Sequence, residues 1–572
     1  MNKIVDAAAA VASIRDGQTV ASVGVIGWIT PDAVLKALGE RFRRTGAPRD
    51  LTFYFPVGTG DAQEIKGMDH VAQAGLMKRI ISGSYINPLD PRTGKRPELM
   101  RLIRENAIEA YSWPIGASMH WLREVARKSP GYLTRVGLGT YIDPEQGGGK
   151  FTAKATEDLV RRIEIDGETL LYYPTWPIDV AIVRAASADE HGNLSFEDEP
   201  LTSSNIGLVL AAKASGGRVI AQVRRLVASD SRPASAIPIP GMFVDAVVVD
   251  EAMMMASETP YEPAYFGGKR MRLSHLPRPE MSADKVIAAR AAREVRKREL
   301  SIFGFGAAAD VPLVMAEQGL FDHGALKDYW FTTEHGSYGG VVMSGWQFSA
   351  NVNPDSILDG LYQFDAIDGG LCQFAALAFA QFDAQGVVNV SKFGKANPGA
   401  GGFIDIAENA RRLVFTGTFT TNGLNTTFEG DRLNIKQEGR VKKFCRAADA
   451  VTYSVARGVR ERGQTALVVT ERAVFEYRSN GLTLTELAPG VDLDRAVLAQ
   501  MEFAPIVDRS ALREMDRRLF AQVRKATSSQ IKRYTVPLSA REVTGEILFN
   551  EFAELPTIDY ERDAGLDEPT AW

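Results

Sequence analysis

The chain has 572 residues, 45 % of them hydrophobic and 24 % charged, which is the composition of an ordinary globular protein and excludes a disordered chain, a collagen-like fibre and a multi-span membrane protein. The length suits two large domains or about four small ones. With 66 Lys and Arg against 71 Asp and Glu, the net charge of −5 argues against a dedicated nucleic-acid binder, which carries a basic face, and leaves room for a local basic pocket.

In chain order, the Ala-rich run from 7 to 12 sits between Asp6 and Asp16 with no basic leader, and reads as a helix, not a signal peptide. Val20 to Val25 is β-like and is followed by an amphipathic helical stretch from Pro31 to Phe42, with Pro at a helix start where its missing N–H costs nothing. Leu171 to Thr175 and Val180 to Ala185 read as buried strands. Ile206 to Ala214 reads as a helix stopped by Gly216 and Gly217, with strands at Arg218 to Val223 and Ala246 to Val249. Strand–helix alternation of this kind predicts an α/β fold with a mainly parallel sheet. Asp284 to Glu299 reads as a charged helix. The longest uncharged apolar stretch, Gly369 to Phe382, is too short to span a bilayer.

An internal repeat organises the chain. Asp189-Glu190-His191-Gly192-Asn193-Leu194-Ser195 and Asp383-Ala384-Gln385-Gly386-Val387-Val388-Asn389-Val390-Ser391 both follow apolar runs, and both read as strand, Asp-x-x-Gly turn, then Asn-[Leu/Val]-Ser. Ser22-Val23-Gly24-Val25-Ile26-Gly27 pairs more weakly with Ser301-Ile302-Phe303-Gly304-Phe305-Gly306. Two related halves follow: residues 1–270 and 284–520, with a Pro-, Gly- and Arg-rich linker near 262–283 and an extension over 521–572.

Cys372 and Cys445 are the only cysteines, too few for a disulfide framework and without zinc spacing; the simplest setting is a reducing cytosol. His70, His120, His191, His275, His323 and His335 are scattered, so no metal site is expected.

Three segments carry candidate chemistry. Thr332-Thr333-Glu334-His335-Gly336-Ser337-Tyr338-Gly339-Gly340 puts a carboxylate at a strand end, where ligands gather in open α/β sheets. Glu334 there suits a nucleophile, a base or a metal ligand, or else a capping or ion-paired side chain beside a turn. Gly394-Lys395-Ala396-Asn397-Pro398-Gly399-Ala400-Gly401-Gly402-Phe403 exposes backbone N–H groups that suit an anion or oxyanion; it is neither a Walker A loop nor a dinucleotide fingerprint. Ser129 to Lys150 is a Gly-punctuated insertion. The charged run Glu438-Gly439-Arg440-Val441-Lys442-Lys443 could supply cations to a phosphate or simply be solvated.

At these residues the chain resembles the family I CoA-transferases of the acetate or propionate type. The likeness spans about residues 1 to 520. It rests on Leu133-Thr134-Arg135-Val136-Gly137 with Asp143-Pro144, on the Asp189 to Ser195 segment, and on Thr333-Glu334 with Gly339-Gly340. Asn389-Val390-Ser391-Lys392-Phe393-Gly394, Gly401-Gly402-Phe403-Ile404 and Thr470-Glu471-Arg472-Ala473-Val474-Phe475 add to it. It implies two homologous three-layer α/β/α halves, with the active site between them. It implies that Glu334 attacks an acyl-CoA and carries a glutamyl-CoA thioester in ping-pong exchange with a free carboxylic acid. Gly401, Gly402, Asn397 and Gly399 would then serve the oxyanion and CoA. Gly24, Gly27, Ile115, Gly116 and His335 would shape the acyl and acceptor pocket. Coenzyme A would be a co-substrate, with no tightly bound cofactor, no metal, no nucleic acid, no membrane, and a cytoplasmic homodimer or homotetramer as the working form. Two positions depart from the pattern: Ile115 stands where related enzymes carry Gln, and His335 where small residues or Pro are common. Ile115→Gln is expected to shift acid preference more than stability. Trp28, Trp113, Tyr338 and Trp346 could line a larger pocket. An acyl-CoA hydrolase on the same scaffold and a non-catalytic ligand-binding module are the alternatives.

Overall fold

The first half is built on strands β1 (Thr19–Ser22), β2 (Leu51–Phe55), β3 (Met77–Ser82), β4 (Glu109–Ser112), β5 (Val180–Ala188), β6 (Arg218–Leu226) and β7 (Ala246–Val249). They lie in the order β7-β6-β5-β1-β2-β3-β4, all parallel. Every residue of β5 is buried. A strand buried on both faces needs cover on both, hence three layers. The cover includes α1 (Ala7–Val11), α2 (Asp32–Thr45), α3 (Ile115–Arg127) and α4 (Asn205–Ala214), with α1 against α2 and α3 against α4. The computed structural model describes residues 3–85, 96–394 and 396–521. Lys395 and the expected extension from 522 onward lie outside the described residues.

The second half repeats this plan. Strands β8 (Leu300–Phe303), β9 (Trp330–Thr332), β10 (Phe374–Ala378), β11 (Arg412–Thr416) and β12 (Thr465–Val469) lie in the order β12-β11-β10-β8-β9, again all parallel. That is the order of β7-β6-β5-β1-β2, visited in the same sequence along the chain. Antiparallel β13 (Ala473–Arg478) and β14 (Gly481–Leu487) extend the far edge. Helices α5 (Ala283–Ala291), α6 (Val311–Glu317), α7 (Gly360–Asp368), α8 (Phe403–Asn409) and α9 (Val455–Arg462) complete this half.

The two Asp-x-x-Gly turns close the same way. Asp189 Oδ1 accepts from the amides of His191 and Asn193 at 2.9 and 3.0 Å, and Asp383 Oδ1 from Gln385 and Val387, both at 2.9 Å. Each caps an antiparallel hairpin. An Asp that binds the backbone two and four residues on fixes such a turn from local sequence alone.

Three expectations need adjustment. The helix expected to run to Glu299 leaves α-geometry at Ala291 and passes through a short 3-10 turn, Ala292–Glu294. The strand around Leu171 to Thr175 forms within Glu168–Pro174, but it pairs antiparallel with Gly131–Thr134 and Arg161–Ile165 in a separate small sheet. Trp113 stands in an aromatic cluster with Tyr54, Trp121, Tyr173 and Trp176 and is fully buried, so it is a core residue and no pocket wall.

Candidate active site

Glu334 sits at the tip of a hairpin between β9 and the next strand of the same sheet, Ser337–Tyr338. Strand β9 ends at Thr332, and Thr332 pairs antiparallel with Tyr338. Between them Gly336 N–H closes a turn on Thr333 O at 3.3 Å, with Glu334 and His335 in its two central places. The tip is held from outside. Gln363 Nε2 donates to Thr333 O at 2.8 Å, Thr333 Oγ1 to Ser349 O at 2.9 Å, and Leu358 N–H to Gly336 O at 2.7 Å. Gly336 has φ +92°, and a Cβ there would stand 2.1 Å from Leu358 O; only glycine fits both demands.

The Glu334 side chain keeps 19 % of its surface accessible, so the carboxylate is recessed but reachable. Gly402 N–H donates to its Oε2 at 3.1 Å. His335 Nε2 lies 3.3 Å from its Oε1, with the imidazole 1 % accessible. The approach of Gly402 is close: a Cβ on it would stand 2.3 Å from Oε2.

The glycine segment is clamped by the first half. Gly401 N–H donates to Gly83 O at 2.9 Å, and Gly401 O accepts from Ile115 N–H at 3.0 Å. Of the two amides expected to face an oxyanion, Gly401's is therefore engaged elsewhere, and only Gly402's reaches the carboxylate. Tyr85 N–H donates to Pro398 O at 2.7 Å and Gly399 N–H to Ser391 O at 3.1 Å, so Gly399 has a backbone tie. Asn397 is half-buried on the same segment. Gly83 was not singled out by sequence reasoning; its only signal is its place directly after β3.

Gly116 N–H donates to Asp405 Oδ2 at 3.3 Å, which joins the start of α3 to α8. Ile115 is 1 % accessible, and its Cγ1 lies 2.6 Å from where a Gly83 Cβ would be. It packs beneath the Gly83–Gly401 contact, so a Gln there would bury an amide. The structure thus couples Ile115→Gln to stability more directly than the sequence alone suggests.

Gly24 and Gly27 are buried in the loop after β1. Gly24 closes on Thr59, and Gly27 on Ser257. This loop reaches Glu334 indirectly. Trp28 Nε1 donates to Phe348 O at 2.8 Å, beside the Ser349 carbonyl that anchors Thr333. Trp28 is fully buried and Trp346 half-buried, and Tyr338 OH donates to Gln363 Oε1 at 2.5 Å.

Three other candidate segments are tied into the fold. Glu471 and Arg472 are wholly buried and paired at 2.6 Å, and Glu438 pairs with the same guanidinium. The Ser129 to Lys150 insertion docks on the second half, through Tyr141 N–H to Val451 O at 2.7 Å and Arg457 Nη1 to Leu138 O at 2.6 Å. Among the described residues no group of three His, Cys, Asp or Glu side chains is placed to hold a metal ion, and no helix is long and apolar enough to cross a membrane.

A recessed carboxylate on a rigid turn, with one oxygen on a backbone amide, suits covalent acyl chemistry. Comparison with known proteins points the same way. Residues 4–250 match the family model described as coenzyme A transferase. The caffeate CoA-transferase of Acetobacterium woodii is 37 % identical over 532 residues, covering 91 % of this chain and 98 % of that protein. The acetate CoA-transferase YdiF of Escherichia coli K12 is 36 % identical over 519 residues, covering 90 % and 95 %. A crystal structure of the acyl-CoA transferase YdiF of Escherichia coli O157:H7, as a thioester complex with CoA, superposes with a TM-score of 0.81 at 34 % identity, covering 91 % of this chain and 96 % of that one. Kinship at this level runs through both halves, and it makes the chain a member of the coenzyme A transferase family.

Proposed function

We propose that the enzyme exchanges CoA between a short-chain acyl-CoA and a free carboxylic acid of the acetate type, through a thioester on Glu334. The observation that carries this reading is the Glu334 carboxylate, accessible at a rigid turn with Oε2 on the Gly402 amide. One carboxylate oxygen attacks the thioester carbonyl of the donor. The C–S bond breaks, leaving a mixed anhydride and CoA thiolate. The thiolate then attacks the glutamyl carbon, the anhydride C–O bond breaks, and the donor acid leaves. The acceptor carboxylate runs the steps in reverse. Each attack puts negative charge on a carbonyl oxygen, and a preorganised amide donor at that point lowers the barrier by about 3 kcal/mol.

The acid pair belongs to the proposal. Two full-length relatives are named for caffeate and for acetate, so an aromatic acid is the competing substrate. The proposal also includes CoA as a diffusing co-substrate without a tightly bound cofactor, a cytosolic homodimer or homotetramer, and a division into 1–270, 284–520 and an extension over 521–572. Asn397 and Gly399 are proposed to contact CoA, and Gly24, Gly27, Ile115 and Gly116 to shape the acyl region.

The test is chemical trapping. The protein is incubated with acetyl-CoA, propionyl-CoA or caffeoyl-CoA, reduced with borohydride and mapped by peptide mass. Modification at Glu334, absent in Glu334→Gln, is the expected result. Turnover of acyl-CoA with free acid but without modification of Glu334 would refute it.

A further inference from the structure

His335 is the neighbour of Glu334 in the same tight turn, and its state is unusual. The imidazole is 1 % accessible, yet neither Nδ1 nor Nε2 has a hydrogen-bond partner among the described residues. Buried polar groups are nearly always paired, and one left bare is held at a cost. The acceptor within reach is Glu334 Oε1, 3.3 Å from Nε2, close enough but not aligned for a hydrogen bond. Catalytic hydrogen bonds are often long or misaligned in free enzymes and tighten only as the reacting complex forms.

The two oxygens of Glu334 are thereby distinguished. Oε2 is held by Gly402 N–H at 3.1 Å, while Oε1 faces the His335 imidazole. We propose that Oε1 is the attacking oxygen and that His335 is a catalytic residue that donates a hydrogen bond from Nε2 to it. This inference rests on the Glu334 reading and deepens it. Oε1 becomes the bridging oxygen of the mixed anhydride, and Oε2 the glutamyl carbonyl oxygen on the Gly402 amide. When CoA thiolate adds to the glutamyl carbon, the S–C bond forms and the C–Oε1 bond breaks. The electron pair passes to Oε1, which leaves within the donor carboxylate. The Nε2–H stabilises the charge gathering on that oxygen, and no proton is transferred. In reverse, the same N–H receives the acceptor carboxylate that replaces it.

The test uses the full chain with acetyl-CoA or propionyl-CoA, whichever traps on wild-type Glu334, and compares His335→Leu with His335→Gln, whose side-chain amide restores an N–H. The Leu variant is expected to lose about 100-fold in kcat, the usual effect of removing one such donor, with KM for acyl-CoA changed less than about threefold and with thermal stability equal or higher, because a bare polar group has gone. The Gln variant is expected to recover at least about tenfold of that loss. His335→Met, which also lacks an N–H, replaces the Leu variant should that one not fold. Wild-type turnover in the variant without an N–H overturns the proposal, as does a loss of kcat shared equally by the Gln variant and matched by a fall in melting temperature, which would mark a packing role. Trapping on wild-type Glu334 separates the two levels: label at Glu334 with an unaffected Leu variant removes only the role of His335, whereas turnover without label removes the nucleophile and this inference with it.

Discussion

A methyl group added at Gly402 would stand 2.3 Å from Glu334 Oε2, although φ −86° at that position is open to any residue. At Gly401 the situation is reversed: φ is +57°, and a Cβ would meet nothing within 4 Å. The two substitutions should therefore fail in different currencies. Gly402→Ala is expected to fold normally but lose about 100-fold or more in kcat, because the carboxylate must leave its amide donor. Gly401→Ala is expected to keep most of its kcat and lose about 1 kcal/mol of stability to the left-handed backbone. Steady-state rates and chemical denaturation of both variants check this, and a Gly402→Ala enzyme with wild-type kcat would refute it. A strand end carrying a carboxylate, and consecutive glycines before a helix, marked Glu334 and the Gly401–Gly402 pair as candidates in the sequence, and the family resemblance gave them their expected roles. The engagement of Gly401 was not legible, because its partner Gly83 is far away along the chain, and only the folded topology brings them together.

At the scale of elements, the junction of α3, α7 and α8 gathers acids in the interior. Asp405, at the start of α8, has its carboxyl held well above the usual range by burial and then by the neighbouring Asp368. Asp368, at the end of α7, is pushed up to about 7 by burial, then by Glu408 and Asp365. His120 on α3 is lowered by burial, opposed by Asp365, and its Nδ1 lies 3.7 Å from Asp368 Oδ2. A carboxyl raised from 3.8 to about 7 binds its proton more tightly in the folded state than in the unfolded one. Stability then falls as pH rises across that window and levels off above about 7. Asp368→Asn is expected to remove much of this slope, so that it gains on wild type by roughly 2 kcal/mol between pH 5 and pH 8. Melting curves at the two pH values measure it, and parallel pH profiles would count against it. The twin hairpins show what local sequence can specify, since each Asp captures backbone amides within its own turn. The strand at Glu168–Pro174 shows the limit: its apolar residues predicted a strand, but pairing with Gly131–Thr134 and Arg161–Ile165 is a choice among distant partners. The early end of α5 has no signal in the charged run that follows, where Ala, Arg and Glu favour helix throughout.

At the scale of the whole molecule, the repeat read from two short turns proves to be a shared order of parallel strands. The stretch between the halves passes Pro277-Arg278-Pro279, with Pro277 and Arg278 exposed. A chain cut after Arg278 and co-expressed as two pieces is expected to associate and show transferase activity. The second piece alone, although it carries both Glu334 and Gly402, is expected to be inactive, since Gly83 and Ile115 are then missing from the two sides of Gly401. Activity in that piece by itself would show that the clamp is dispensable. Co-purification and a CoA-exchange assay decide the matter.

The grip on Gly401 has a thermodynamic corollary. The contacts that dock the halves, from Gly83 O and from Ile115 N–H, are also the contacts that set the Gly402 amide against the nucleophile. Docking free energy and chemical reactivity are then linked functions: any ligand that binds the docked arrangement better than the separated one raises both together, in proportion to that preference. Loosening the grip of Gly83 and Ile115 on Gly401 therefore weakens the seating of the halves and the support of the carboxylate together.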